Sequence, residues 1–88
     1  MIYGLYAIRD AKTGYLTPTV DLNDNSARRN FEHAVNKTDS LFYSHPADYG
    51  LYKIGVYDTD KGRIEPIYPA DLIVNATDCL PEGAGIFV

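Results

Sequence analysis

The chain has 88 residues, 45% apolar and 23% charged, with a formal net charge of −4 and an isoelectric point near 4.8. That length allows one domain with a modest core, and the composition is that of a folded globular chain rather than a disordered or collagen-like one. No apolar run approaches the ~18 residues of a bilayer span and no basic segment leads into an apolar one, so the expectation is the cytoplasm, with no membrane contact.

In chain order, Ile2 to Arg9 is dense in strand formers and apolar on both alternating faces, which predicts a central strand. Asp10 can bond forward to backbone and Gly14 can take positive φ; Tyr15-Leu16-Thr17 then resumes extended structure before Pro18, closing a hairpin. From Asn23 to Asn36 the period changes. Ala27, Phe31, Ala34 and Val35 form one helical stripe behind a cap at Asn23, Asp24 or Asn25, with Arg28, Arg29, Glu32 and His33 outside it.

Lys37 to Tyr49 reads as a loop anchored by Leu41-Phe42-Tyr43, with a helical turn beginning at Pro46. Leu51 to Tyr57 is a strand again, followed by an Asp58-to-Gly62 turn and extended Arg63-Ile64-Glu65. Pro66, Pro69 and Pro81 then interrupt the chain, leaving Leu72-Ile73-Val74 as an edge strand or tail segment. The apolar end, Ile86-Phe87-Val88, suits docking on its own domain or on a partner. The lone Cys79 has no Cys or His near it in sequence and reads as a small buried apolar residue.

The chain echoes itself. Leu5-Tyr6-Ala7-Ile8 with Asp10 and Gly14 is matched by Leu51-Tyr52-Lys53-Ile54 with Asp58 and Gly62. Two similar hairpins around one helix give an α+β, ββαββ fold: an antiparallel sheet with the helix on one face, residues 1–75 as the domain and 76–88 as a C-terminal tail.

The segments LYAIRDAKTGYLTP, ARRNFEHAVN and HPADYGLYKIGVYDTDKG, in that order and spacing, resemble the small nonstructural protein of gokushoviruses, tailless microviruses with circular single-stranded DNA genomes. The resemblance spans roughly residues 3 to 75. It implies a non-virion protein with a part in viral DNA replication, single-strand synthesis or packaging, sometimes described as DNA-binding. It brings no catalytic residues.

The cluster His45, Asp48 and Tyr49 has the residue types of an acid–base site, but neighbours in one loop seldom supply both a second partner and a pocket. The structural reading is a turn opened by His45-Pro46, with Asp48 bonding back to backbone and Tyr49 packing at its end. His33 and His45 lack metal-ligand spacing, and the glycines are too scattered to cradle a phosphate, so no metal, cofactor or catalytic group is expected.

Two binding readings compete for eight tyrosines. In one, Tyr6 and Tyr52, at equivalent places in two strands and beside Arg9 and Lys53, stack the bases of single-stranded DNA. In the other, Tyr3, Tyr6 and Tyr52 lie in an interface that doubles a thin core, most simply as a homodimer or larger oligomer. Twelve acidic against eight basic residues favours the interface for most tyrosines, leaving nucleic acid to a strip of Arg28, Arg29 and Lys37. The plain alternative for those cations is a solvated helix face. The function expected is a non-enzymatic phage accessory protein that binds DNA or the viral or host replication machinery; the rival is an oligomeric adaptor that touches no nucleic acid.

Overall fold

A computed structural model describes residues 1–81. The chain runs β1 (Ile2–Asp10), β2 (Gly14–Tyr15), β3 (Thr19–Asp21), α1 (Asp24–Val35), α2 (Leu41–Ser44), β4 (Tyr49–Asp58) and β5 (Arg63–Asn75), with 3-10 turns at Pro46–Asp48 and Ala76–Cys79. It is α+β, with an antiparallel sheet and one main helix. β1 is central, pairing with β2 and β3 along one edge and with β4 along the other, and β4 pairs with β5. Among the described residues no helix is long and apolar enough to cross a membrane.

Local chemistry sets the boundaries. The Asn23 side chain accepts the Ser26 N–H at 2.8 Å and starts α1, with Asp24 in the first turn. Ala27, Phe31 and Val35 are buried along the expected stripe. In the first hairpin the Asp10 carboxylate accepts from the Lys12 N–H at 2.9 Å; in the second, Asp58 accepts from the Asp60 N–H at 2.9 Å. Each turn closes on a glycine at positive φ, +100° at Gly14 and +64° at Gly62.

Two elements depart from the expected order. β3 adds a third strand before the helix, held against Gly4, Leu5 and Tyr6. The first hairpin's return strand is shorter than expected, with only Gly14 and Tyr15 paired and the Leu16 N–H reaching Ile8 O at 2.8 Å.

β5 does not stop at Pro66; it continues to Asn75 through both prolines. It can do so because it is an edge strand: a proline whose missing N–H would have faced outward costs no ladder bond. The register also breaks there. Pro66 faces Gly55 and Asp71 faces Lys53, so Ile54 alone stands against residues 67–70, which bulge and leave Tyr68 95% exposed.

The core sits between α1 and one half of the sheet. Tyr6, Leu51, Tyr49 and Val74 meet Ala27, Phe31 and Val35 from the helix, and Ala76 and Cys79 close the end. Burying side chains the size of Phe31 or Val35 contributes about 1.5–3 kcal/mol each. Phe42 of α2 bridges Phe31 and Tyr49, at ring-centroid distances of 6.2 and 4.7 Å. The Asn36 amide donates to Glu32 O at 2.8 Å and to Cys79 O at 3.0 Å, fastening the last turn to the helix end. Of the stretch expected as a tail, residues 76–79 thus pack on the core, whereas Ile86, Phe87 and Val88 lie outside the described residues.

Candidate nucleic-acid and partner interfaces

The cluster His45, Asp48 and Tyr49 is a turn feeding β4. Asp48 does bond back to His45, but through its main-chain N–H to His45 O at 3.1 Å, and its carbonyl accepts from the Ala11 N–H at 2.9 Å, tying this turn to the first hairpin. His45 is exposed, with Nδ1 2.8 Å from Ser44 Oγ, while Tyr49 is buried. Burial, with Asp10 and Asp48 nearby, pushes the Tyr49 phenol above its ordinary pKa. Among the described residues no group of three His, Cys, Asp or Glu side chains could hold a metal ion.

Strand alternation and the pairing register decide which residues share a face. Tyr6 pairs with Lys53, and Ala7 with Tyr52. Tyr6 therefore points to the helix side and Tyr52 to the opposite side. Tyr6, expected on an exposed stacking or interface surface, is only 1% exposed beneath α1 and cannot stack a base. Its hydroxyl donates to Asp24 Oδ1 at 2.5 Å, and Lys53 Nζ lies 3.2 Å from the same oxygen and 5.9 Å from the Tyr6 ring centroid. Burial and the Asp24 carboxylate hold the Tyr6 phenol far above its usual range. The Tyr6 hydrogen bond, opposed by partial burial and assisted by Lys53, holds the Asp24 carboxyl below its own.

This cluster lines an open groove of about 500 Å³ together with Ile2, Leu22 and Val56. Sequence reading missed Asp24 as the partner of Lys53. The two are far apart in the chain, and a bulge in β4 sets the Lys53 position.

The five cations expected to meet nucleic acid do not form one patch. Lys53 is drawn in to Asp24 on the helix side, and Arg9 stands on the opposite sheet face, at the register position facing Tyr15. Arg28 pairs with Glu32 at 3.0 Å across one helical turn. Asn25, Arg29 and His33 form an outer ridge of α1 at four-residue spacing, and Lys37 follows two residues past the helix end, all four exposed. The Lys37 N–H donates to Ala34 O at 3.3 Å, so the backbone keeps turning past the helix end.

The sheet face away from α1 has a different chemistry. Tyr3, Leu5, Ala7 and Arg9 of β1 share it with Tyr52 and Tyr57 of β4. Tyr15, Val20, Ile64 and Leu72 extend it, each between about a half and three-fifths exposed at 50%, 48%, 57% and 48%. The Tyr15 and Tyr52 rings meet edge to face at 5.6 Å. Every carboxylate carried by a strand, namely Asp10, Asp21, Asp58, Glu65 and Asp71, lies at a position facing the helix side. Among the described strand residues Arg9 is the one charge on the far face. Tyr3 and Tyr52 thus share this face with Tyr15 and Tyr57; only the register, not the sequence, reveals that.

Searches among curated proteins and among solved structures find no match. A family model does match, described as Phage ORF5 protein, and it covers residues 3–79. The match takes in all the elements of the described residues except the first residue of β1, so the chain belongs to the Phage ORF5 protein family.

Proposed function

We propose that this phage protein is a non-enzymatic accessory factor of a single-stranded DNA phage of the gokushovirus type, working in the host cytoplasm on genome replication or packaging by binding DNA. The observation that supports this reading is the exposed row of Arg29 and His33 on the outer side of α1, continued by Lys37 just past the helix end. Two carboxylates of the helix are already engaged, Glu32 with Arg28 and Asp24 with Tyr6 and Lys53. A phosphate approaching Arg29 therefore meets a cation whose acidic neighbours on the helix are bonded elsewhere, while the exposed Asp39 stands two residues from Lys37.

Two or three phosphates neutralised in this way give a salt slope of about −2 for a single strand, so affinity falls roughly fifteen-fold between 50 and 200 mM salt. Anisotropy of a labelled single-stranded oligonucleotide measures it. Arg29→Glu with Lys37→Glu should abolish the salt-dependent signal while helix content stays constant. No salt-dependent binding at micromolar protein removes DNA from the proposal.

A protein partner is the second reading, and Tyr68 favours it. Its ring is 95% exposed on the β5 bulge between Pro66 and Pro69, and exposed aromatic anchors are what partner pockets enclose. In a nuclease-treated pull-down from infected cells, an adaptor should retain a viral or host replication protein that Tyr68→Ala loses. Recovery of viral DNA alone counts against it.

A further inference from the structure

We infer that the sheet face opposite α1 is closed by the same face of a second copy, giving a symmetric dimer with the two sheets in the middle and the two helices outside. The occupant follows from charge and area. In an isologous interface residues near the axis meet their own kind, so like charges there repel and a face of few charges suits pairing with itself. This face carries the single cation Arg9 and, among the described strand residues, no carboxylate, although the strands bear five carboxylates on their other side.

Geometry agrees. With the twofold axis across the strands near Tyr6, the two Arg9 residues fall roughly 20 Å apart by strand rise, beyond the ~10 Å screening length, so they do not oppose the pairing. Three strands of nine to thirteen residues, with the short β2 and β3 beside them, present roughly 600 Å² in plan before side-chain relief is counted, against the ~800 Å² per partner of stable complexes.

Sedimentation equilibrium of the full chain at about 50 µM should give twice the 9.8 kDa protomer mass. Ile64→Lys with Leu72→Lys should give the protomer mass with an unchanged far-ultraviolet spectrum. Leu41→Lys, an equally exposed apolar site on α2, should leave the dimer intact. Iodination of the wild type provides a readout that needs no variant: Tyr15 should be protected relative to Tyr68, although both rings are accessible in the protomer. A monomeric wild type, a Lys variant that remains a dimer, or Tyr15 labelled as fast as Tyr68 would overturn the inference. So would a monomer whose tyrosine fluorescence is quenched by a single-stranded oligonucleotide, since the face would then stack bases.

Discussion

Replacing Tyr6 with Phe removes one hydroxyl and keeps the ring that fills the core. That hydroxyl donates to an ionised carboxylate at 2.5 Å, and such charge-assisted bonds contribute about 1.5–3 kcal/mol. Lys53 still faces Asp24 in the variant, at 3.2 Å in the parent, so the loss should fall mid-range at about 2 kcal/mol. Urea unfolding followed by circular dichroism reads this as a midpoint lowered by roughly 1–2 M, with protomer concentration held fixed because association adds to apparent stability.

The pH dependence makes the prediction specific. Asp24 has a folded pKa below its ordinary value of 3.8, so the stability it contributes is present above about pH 4 and is lost as pH falls through the folded pKa. Tyr6 has a folded pKa above the ordinary 10.0; its contribution is present below pH 10 and is lost as pH rises through the folded value, because the unfolded chain ionises first. The gap between parent and Tyr6→Phe should therefore be flat from about pH 5 to 9 and narrow on both sides. A gap under 0.5 kcal/mol, or one that does not change between pH 3 and 6, would refute the claim that this bond fastens the helix start to the sheet.

Two further substitutions probe the frame. Asn23→Ala deletes the side-chain acceptor for the Ser26 N–H and should cost about 1 kcal/mol, read as a thermal midpoint lowered by roughly 4–8 °C with no change in the folded spectrum. Gly55→Ala would place a Cβ 2.8 Å from the Glu65 carbonyl oxygen on the neighbouring strand; because backbone cannot move aside as a side-chain end can, the expected cost is about 1–3 kcal/mol, again by urea titration.

The helix was legible because cap and period agree: Asn23 accepts the bond its side chain suits, and Ala27, Phe31 and Val35 bury the stripe that their spacing draws. Both turns were legible for the same reason, each pairing an aspartate with a glycine at positive φ. The second half of β5 was not, since Pro66 and Pro69 read as breaks unless the strand is known to lie at an edge. Tyr6 and Tyr52 looked equivalent in the LYAI and LYKI echo, yet the antiparallel register pairs Tyr6 with Lys53 and Ala7 with Tyr52, sending the two rings to opposite faces. The exposure of Arg29 follows from helical period alone, whereas the capture of Lys53 by Asp24 needs the fold.

Net charge, the strongest sequence argument against nucleic acid, averages over two unlike sides. The strand carboxylates all face the helix side, and the opposite face is tyrosine and aliphatic with one arginine. An acidic total therefore speaks neither for nor against the apolar face. On the helix side its weight depends on which acids are already bonded, as Asp24 and Glu32 are. If the apolar faces close on each other, both outward surfaces of the pair are helix surfaces and the Arg29–His33–Lys37 ridge occurs twice, facing opposite directions. With three interlayer spacings of ~10 Å between the helices, the two ridges are separated by at least ~30 Å and cannot grip the same few nucleotides. Each ridge would hold its own segment of strand, so the pair bridges two stretches of DNA instead of clamping one.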